Sequence, residues 1–188
     1  VNGQPFKDWT HAISGAPMLK MQHPEYELFS AESTHYKDGV ACADCHMPYQ
    51  REGAVKYSSH FVASPLKYAE QACGACHTDV SYVVERVAKI QKQVNDTMSR
   101  SEDALVAAIQ AITDTAKLPA FDAGALDEAR LLHRKAQLRW DFIAAENSMG
   151  FHNPEEALRI LADAIDYARQ AELKARLAEQ GNRAAALK

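Results

Sequence analysis

The sequence predicts an all-α protein in which an irregular first half is followed by long antiparallel helices. Three observations carry this. Strand-like alternation is nearly absent. Residues 1–78 are interrupted by Pro5, Pro17, Pro24, Pro48 and Pro65, and by Gly3, Gly15, Gly39, Gly53 and Gly74. Between Gly74 and Pro119 there is neither proline nor glycine, and apolar residues recur there every three or four positions. The chain therefore divides into an irregular, ligand-bearing segment, 1–78, and a three-helix segment, 79–188.

The first segment cannot bury much side-chain surface by itself and needs an apolar group attached to it. The first helix follows Thr78. Val80, Val83, Val84, Val87, Ile90 and Val94, then Leu105, Ile109 and Ile112, form its stripe. Nearly forty residues at about 1.5 Å each give about 58 Å, so the helix is expected to project beyond its own core. Ser99 and Ser101 interrupt its heptads, which excludes a regular coiled coil, but pairing of the overhang with a second copy is expected. Asp122 caps a second helix running to about Ser148, striped by Leu126, Leu132, Ala136, Trp140 and Ile143. Asn153, Pro154 and Glu156 make a capping-box start for a third, with Leu158, Leu161, Ile165, Ala168 and Leu173 on its apolar face. It is expected to fray at "GNRAAALK".

The 21 basic and 25 acidic residues are mixed throughout and sum to a net charge of −4, which argues against a nucleic-acid partner. No apolar run approaches the ~20 residues of a membrane span. The opening "VNGQPFKDWT" lacks a signal-peptide pattern, so a cytosolic, processed or excised chain is expected.

All four cysteines lie in two motifs, "CADCH" at 42–46 and "CGACH" at 73–77. A disulfide inside each CxxC is strained, and two would be odd outside redox proteins. A single zinc held by Cys42, Cys45, Cys73 and Cys76 is sterically conceivable. Covalent c-type haem needs two thiols and an iron-ligating histidine directly after them. His46 and His77 decide between these. With eight histidines in the chain, two falling there by chance is roughly a one-in-five-hundred event. Two covalently bound haems c are the reading. They leave six other histidines for at most two open iron positions: His11, His23, His35, His60, His133 and His152. His133, among charges in "ARLLHRKA", reads as a solvated surface residue, and His11 as a satisfied structural one. His35 lies seven residues before Cys42, His60 thirteen before Cys73, and His152 beside a helix cap.

The segments "DWTHAISGAPMLKMQHPEYE", "CADCHMP", "CGACH" and "FHNPEEALRIL", with the spacings of His35 and His60, resemble the C-terminal half of pentahaem cytochrome c nitrite reductases, periplasmic ammonia-forming enzymes. The resemblance implies that this chain is part of an enzyme reducing nitrite to ammonium with six electrons and eight protons. His46 and His77 would be proximal ligands, His152 the distal ligand of the Cys42/Cys45 haem and His35 that of the Cys73/Cys76 haem. His60 would serve a haem carried elsewhere. His23 would be the active-site histidine, and Lys20 (backbone carbonyl) and Gln22 (side chain) would be calcium ligands. A quinol-oxidising membrane cytochrome as electron donor, a homodimer through the long helices and a periplasmic location are also implied. The family's catalytic haem is commonly attached through CxxCK, a motif absent here, so this chain alone is expected to be inactive. The alternative is a free-standing dihaem c-type electron-transfer protein in which His23 and His60 are idle.

Overall fold

The computed structural model describes residues 6–186, so Gly3, Pro5 and the last two residues of the C-terminal tail lie outside the described residues. Two layers follow the chain order. The first is a string of short elements: β1 (Trp9–Thr10) and β2 (Pro17–Met18), α1 (Glu25–Ser30), α2 (Thr34–Lys37), α3 (Cys42–His46), β3 (Tyr49–Glu52) and β4 (Val55–Ser58), a 3₁₀ turn (Pro65–Tyr68) and α4 (Ala69–Ala72). The second is a bundle of α5 (Val80–Ala116), α6 (Ala123–Ala145) and α7 (Pro154–Ala186). The strands form two small antiparallel hairpins, with Trp9 opposite Met18 and Tyr49 opposite Ser58. They leave the class mainly helical.

Each bundle helix begins where a side chain takes an orphan N–H. Asp79 accepts from Tyr82 N and Asp122 from Ala125 N. Asn153 Oδ1 accepts from Glu156 N, and Pro154 occupies the first helical position. The expected capping box is only half made, because the Glu156 carboxylate turns away to Arg159, which also reaches Asp163. Fraying is expected from Gly181, but among the described residues α7 continues to Ala186.

The core is three stacked layers. Val94 and Met98 meet Ile143, Ala157 and Leu161; Ala104, Leu105 and Ala108 meet Ala136, Ala168 and Ala171; Ala111 and Ile112 meet Leu126, Ala129, Ala175 and Ala178. Helices α5 and α7 thus run parallel and α6 antiparallel to both. This overturns the expected overhang of the first helix. Its buried residues extend from Val87 to Thr115, and α7, at 33 residues, accompanies it along that length. The reason is an alanine ladder: Ala157, Leu161, Ala164, Ala168, Ala171, Ala175 and Ala178 are all buried at three- and four-residue spacing on α7. Small side chains let helix axes approach closely. Leu173, predicted on that face, is 59% exposed instead.

The irregular layer is fastened onto α6 and the α6–α7 loop. Arg130 Nε donates to Ser14 O at 2.9 Å and Arg134 to Phe6 O. Asn153 Nδ2 donates to Ala31 O at 2.7 Å, and Leu28 is buried in the first core layer. Among the described residues of 6–78, the buried apolar side chains are Ala16, Met18, Pro24, Leu28, Pro48 and Ala72, while Phe6, Ile13, Tyr26, Tyr49, Phe61 and Val62 stay exposed. This layer does not close a core of its own.

Candidate functional site

Helix α3 is little more than one turn, and that is what the motif needs. Residues i, i+3 and i+4 share a helix face, so Cys42, Cys45 and His46 sit together. The Asp44 carboxylate accepts from Ala41 N at 2.8 Å and holds its start. At the second motif α4 runs into a tight turn in which Cys76 N and His77 N both donate to Cys73 O, at 3.1 and 2.8 Å. Gly74 is required there, since a Cβ would lie 2.3 Å from Glu70 O. The four thiols are unpaired. Burial pushes the Cys45 thiol up, with Cys73 next in effect, so the two motifs are neighbours. Burial also raises Cys73, assisted by the Glu70 charge. Among the described residues no three His, Cys, Asp or Glu side chains gather as a metal-ion site, which gives the single-zinc reading no support.

The histidines form two pairs. The rings of His46 and His152 have centroids 6.3 Å apart, and so do those of His35 and His77. Each pair joins one motif histidine to one distant in sequence. A metal–imidazole bond of about 2 Å on either side, plus the half-widths of two rings, adds up to about this spacing. In the first pair the other ring nitrogens are occupied. His46 Nδ1 lies 3.0 Å from Ala63 O, and His152 Nδ1 lies 3.2 Å from Glu146 Oε2. Among the described residues that leaves both Nε2 atoms without a hydrogen bond, the arrangement by which partners on one nitrogen orient a ligating imidazole through the other. Among the described residues neither His35 nor His77 has a side-chain hydrogen bond; Phe151 lies against His35 at 6.3 Å.

The α6–α7 loop supplies this anchoring. Glu146 is buried, and its carboxylate accepts from Ser148 Oγ at 2.6 Å, from Ser148 N and from Gly150 N. Ser148 Oγ in turn accepts from His152 N at 2.9 Å. Met149 and Gly150 are left-handed, with φ of 53° and 78°. Glu146 was not legible as a site residue, because nothing in "AENSMGFH" signals that this carboxylate turns inward.

His23 stands apart, with its side chain 80% exposed. Its φ is 51°, a left-handed conformation. The residue before a proline ordinarily adopts an extended conformation, so Pro24 does not account for this left-handed φ. Its Nδ1 lies 3.6 Å from Glu25 Oε1, and Asn147, in the α6–α7 loop, donates to that same oxygen. The Glu25 carboxyl is held below its usual range by hydrogen bonds from its own N–H and Asn147 and by His23, against the opposing effect of burial. Lys20 and Gln22 are exposed on the preceding turn, where Lys20 N donates to Asp8 Oδ2 at 2.8 Å. Lys20 also lines a cleft of about 360 Å³ with Trp9, Met21 and Asp141, whose carboxyl burial pushes up. His60 is exposed beyond β4 and does not join the two pairs.

The expected surface position of His133 is wrong. It is fully buried, and Ser14 Oγ bridges it to His11, 3.1 Å from the Nδ1 of each. Leu126, Ala129, His133, Ala136 and Ile143 are buried at three- to seven-residue steps on one face, a spacing that could have revealed it. Burial, reinforced by His11 alongside, pushes its imidazole down to about 4. His11 is structural, as expected; it also accepts from Ser14 N at 3.1 Å.

The family described as cytochrome c552 matches residues 1–187. Cytochrome c-552 of Desulfotalea psychrophila is 42% identical over 94% of this chain and 35% of its own length. The cytochrome c nitrite reductase subunit NrfA of Nitratidesulfovibrio vulgaris is 41% identical over 88% of this chain and 33% of its own. Among solved structures, the catalytic subunit of cytochrome c nitrite reductase from Desulfovibrio desulfuricans, described with two calcium sites, superposes with a TM-score of 0.88 at 42% identity. It is covered over 97% of this chain and 39% of that one. The chain thus spans about a third of the length of the curated relatives it matches, rather than the half expected.

Proposed function

The chain belongs to the cytochrome c552 family, and from that premise we propose that it is the part of an ammonia-forming cytochrome c nitrite reductase that carries two bis-histidine electron-relay haems and the active-site histidine, His23. The observation that carries the reading is the pairing of each CxxCH histidine with one distant imidazole at 6.3 Å. Haem c supplies one-electron redox chemistry when it is attached. Cys42 and Cys45, and Cys73 and Cys76, provide the thiols. His46 with His152, and His77 with His35, would hold the two irons. Two imidazoles at each site would hold the iron of an attached group, which suits relay rather than substrate binding. The exposed apolar side chains of the irregular layer are in keeping with a segment completed by bulky apolar groups.

His23 keeps its Nδ1 towards Glu25, so Nε2 is the nitrogen left to hold or deliver a proton to bound nitrite. Lys20 and Gln22 would contribute two oxygens to a calcium ion, which takes about six to eight, so the other ligands would come from other residues. His60 is the ligand offered to a haem held elsewhere in the enzyme. A quinol-oxidising membrane cytochrome would deliver the electrons, in the periplasm. Among the described residues no helix is long and apolar enough to cross a membrane. Homodimerisation through the long helices draws support from Leu173 and Leu177, exposed one turn apart on α7.

The test is the mass and haem content of the natural gene product. A species about three times this chain's 20.8 kDa, carrying about five haems and reducing nitrite, fits the proposal. A species near 20.8 kDa with two haems establishes the free-standing dihaem carrier. In that carrier His23, so largely exposed, has no task.

A further inference from the structure

We infer that Glu146 is a positioning residue for His152 that lowers the reduction potential of the site between His46 and His152; the inference rests on the proposed reading of His152 as an axial ligand. The Glu146 side chain is fully buried and accepts four hydrogen bonds, from Gly150 N, Ser148 N, Ser148 Oγ and His152 Nδ1. Three of those donors are neutral, and His152 is the one partner on which positive charge can reside. A buried carboxylate without a countercharge is costly, and a cation beyond the His152 ring would provide one. The carboxylate acts in two ways. Accepting Nδ1–H makes the imidazole a stronger donor through Nε2. Its negative charge, in surroundings of low dielectric, favours Fe(III) over Fe(II). When a reduced donor cytochrome gives up one electron, Fe(III) becomes Fe(II), the donor is oxidised by one, and the site loses the positive charge that Glu146 stabilises. The opposite ligand, His46, has only the neutral Ala63 carbonyl, so the charge bias comes from one side.

The experiment is a spectroscopic redox titration of the natural full-length protein with its haems attached, comparing parent, Glu146→Gln, Ser148→Ala and His152→Ala. His152→Ala identifies the step by opening one site to CO. Glu146→Gln is expected to raise the midpoint of that step by at least the about 59 mV that corresponds to a tenfold change in a one-electron equilibrium, leaving the other steps in place. Ser148→Ala removes one hydrogen bond from Glu146 and one from His152 N but keeps the carboxylate, so a smaller shift of that midpoint than in Glu146→Gln is expected. If Glu146→Gln does not accumulate, Glu146→Asp, which withdraws the carboxylate from Nδ1, is expected to show a smaller rise. An unmoved midpoint in the Glu146 variants, or an equal shift in Ser148→Ala, overturns the inference while the ligand assignment stands. A CO response unchanged in His152→Ala overturns the ligand assignment itself.

Discussion

His133 shows how a single residue ties the two layers together. Its imidazole is buried against Ser14 and His11 and titrates at about 4, whereas an unfolded chain gives it the ordinary value near 6.5. The unfolded state therefore binds more protons between these values, and stability falls as pH drops from 6.5 towards 4. The full effect is about 3 kcal/mol. His11, also lowered by burial, acts in the same direction. Unfolding by urea at a series of pH values should show this loss, and His133→Leu should flatten it; an unchanged slope in the variant contradicts the burial argument. A second residue-scale expectation concerns Gly150. Its φ is 78°, and a Cβ would meet Val94 Cγ2 at 2.6 Å, so Gly150→Ala should cost about 1–3 kcal/mol in denaturant unfolding. At this scale the sequence was uneven. The CxxCH residues declare themselves by spacing, because thiol and imidazole must share one helical turn. His133 and Glu146 did not: the partners of His133 lie on a distant segment and charged neighbours such as Arg134 and Lys135 masked its buried stripe, while nothing in the residues around Glu146 signals that its carboxylate turns inward onto its own loop.

Among the elements, the α6–α7 loop does most to position the site. It holds His152 through Glu146, the irregular layer through Asn153 and Ala31, and Glu25 through Asn147. Asn153→Ala removes the cap of α7 and the bond to Ala31 together. About 1 kcal/mol for each gives a loss of about 2 kcal/mol. The accompanying readout is CO binding, which should appear at the His46–His152 site if the loop is displaced; unchanged stability would show that the cap is dispensable. The three long helices were legible because apolar spacing and N-cap residues report directly on local structure. Their lengths relative to one another were not. The alanines of α7 carry little hydrophobic signal, and only their alignment against α5 shows that the first helix is accompanied rather than overhanging. The two hairpins were missed for a related reason: strands of two to four residues are too short to show alternation.

Over the whole molecule, a well-closed bundle carries a layer that is not closed. The exposed apolar residues of 6–78, the exposed, left-handed His23 and the exposed His60 fit a layer that works with groups and protein beyond this chain. The central claim is that His46 pairs with His152 and His35 with His77 across two irons. It is tested most directly by CO binding to the reduced natural protein and to its His152→Ala and His35→Ala variants. Each replacement is predicted to add one CO-reactive haem to the parent count, and the double replacement two. No added CO-reactive haem in either single variant, with haem content unchanged, would contradict the pairing and with it the relay function.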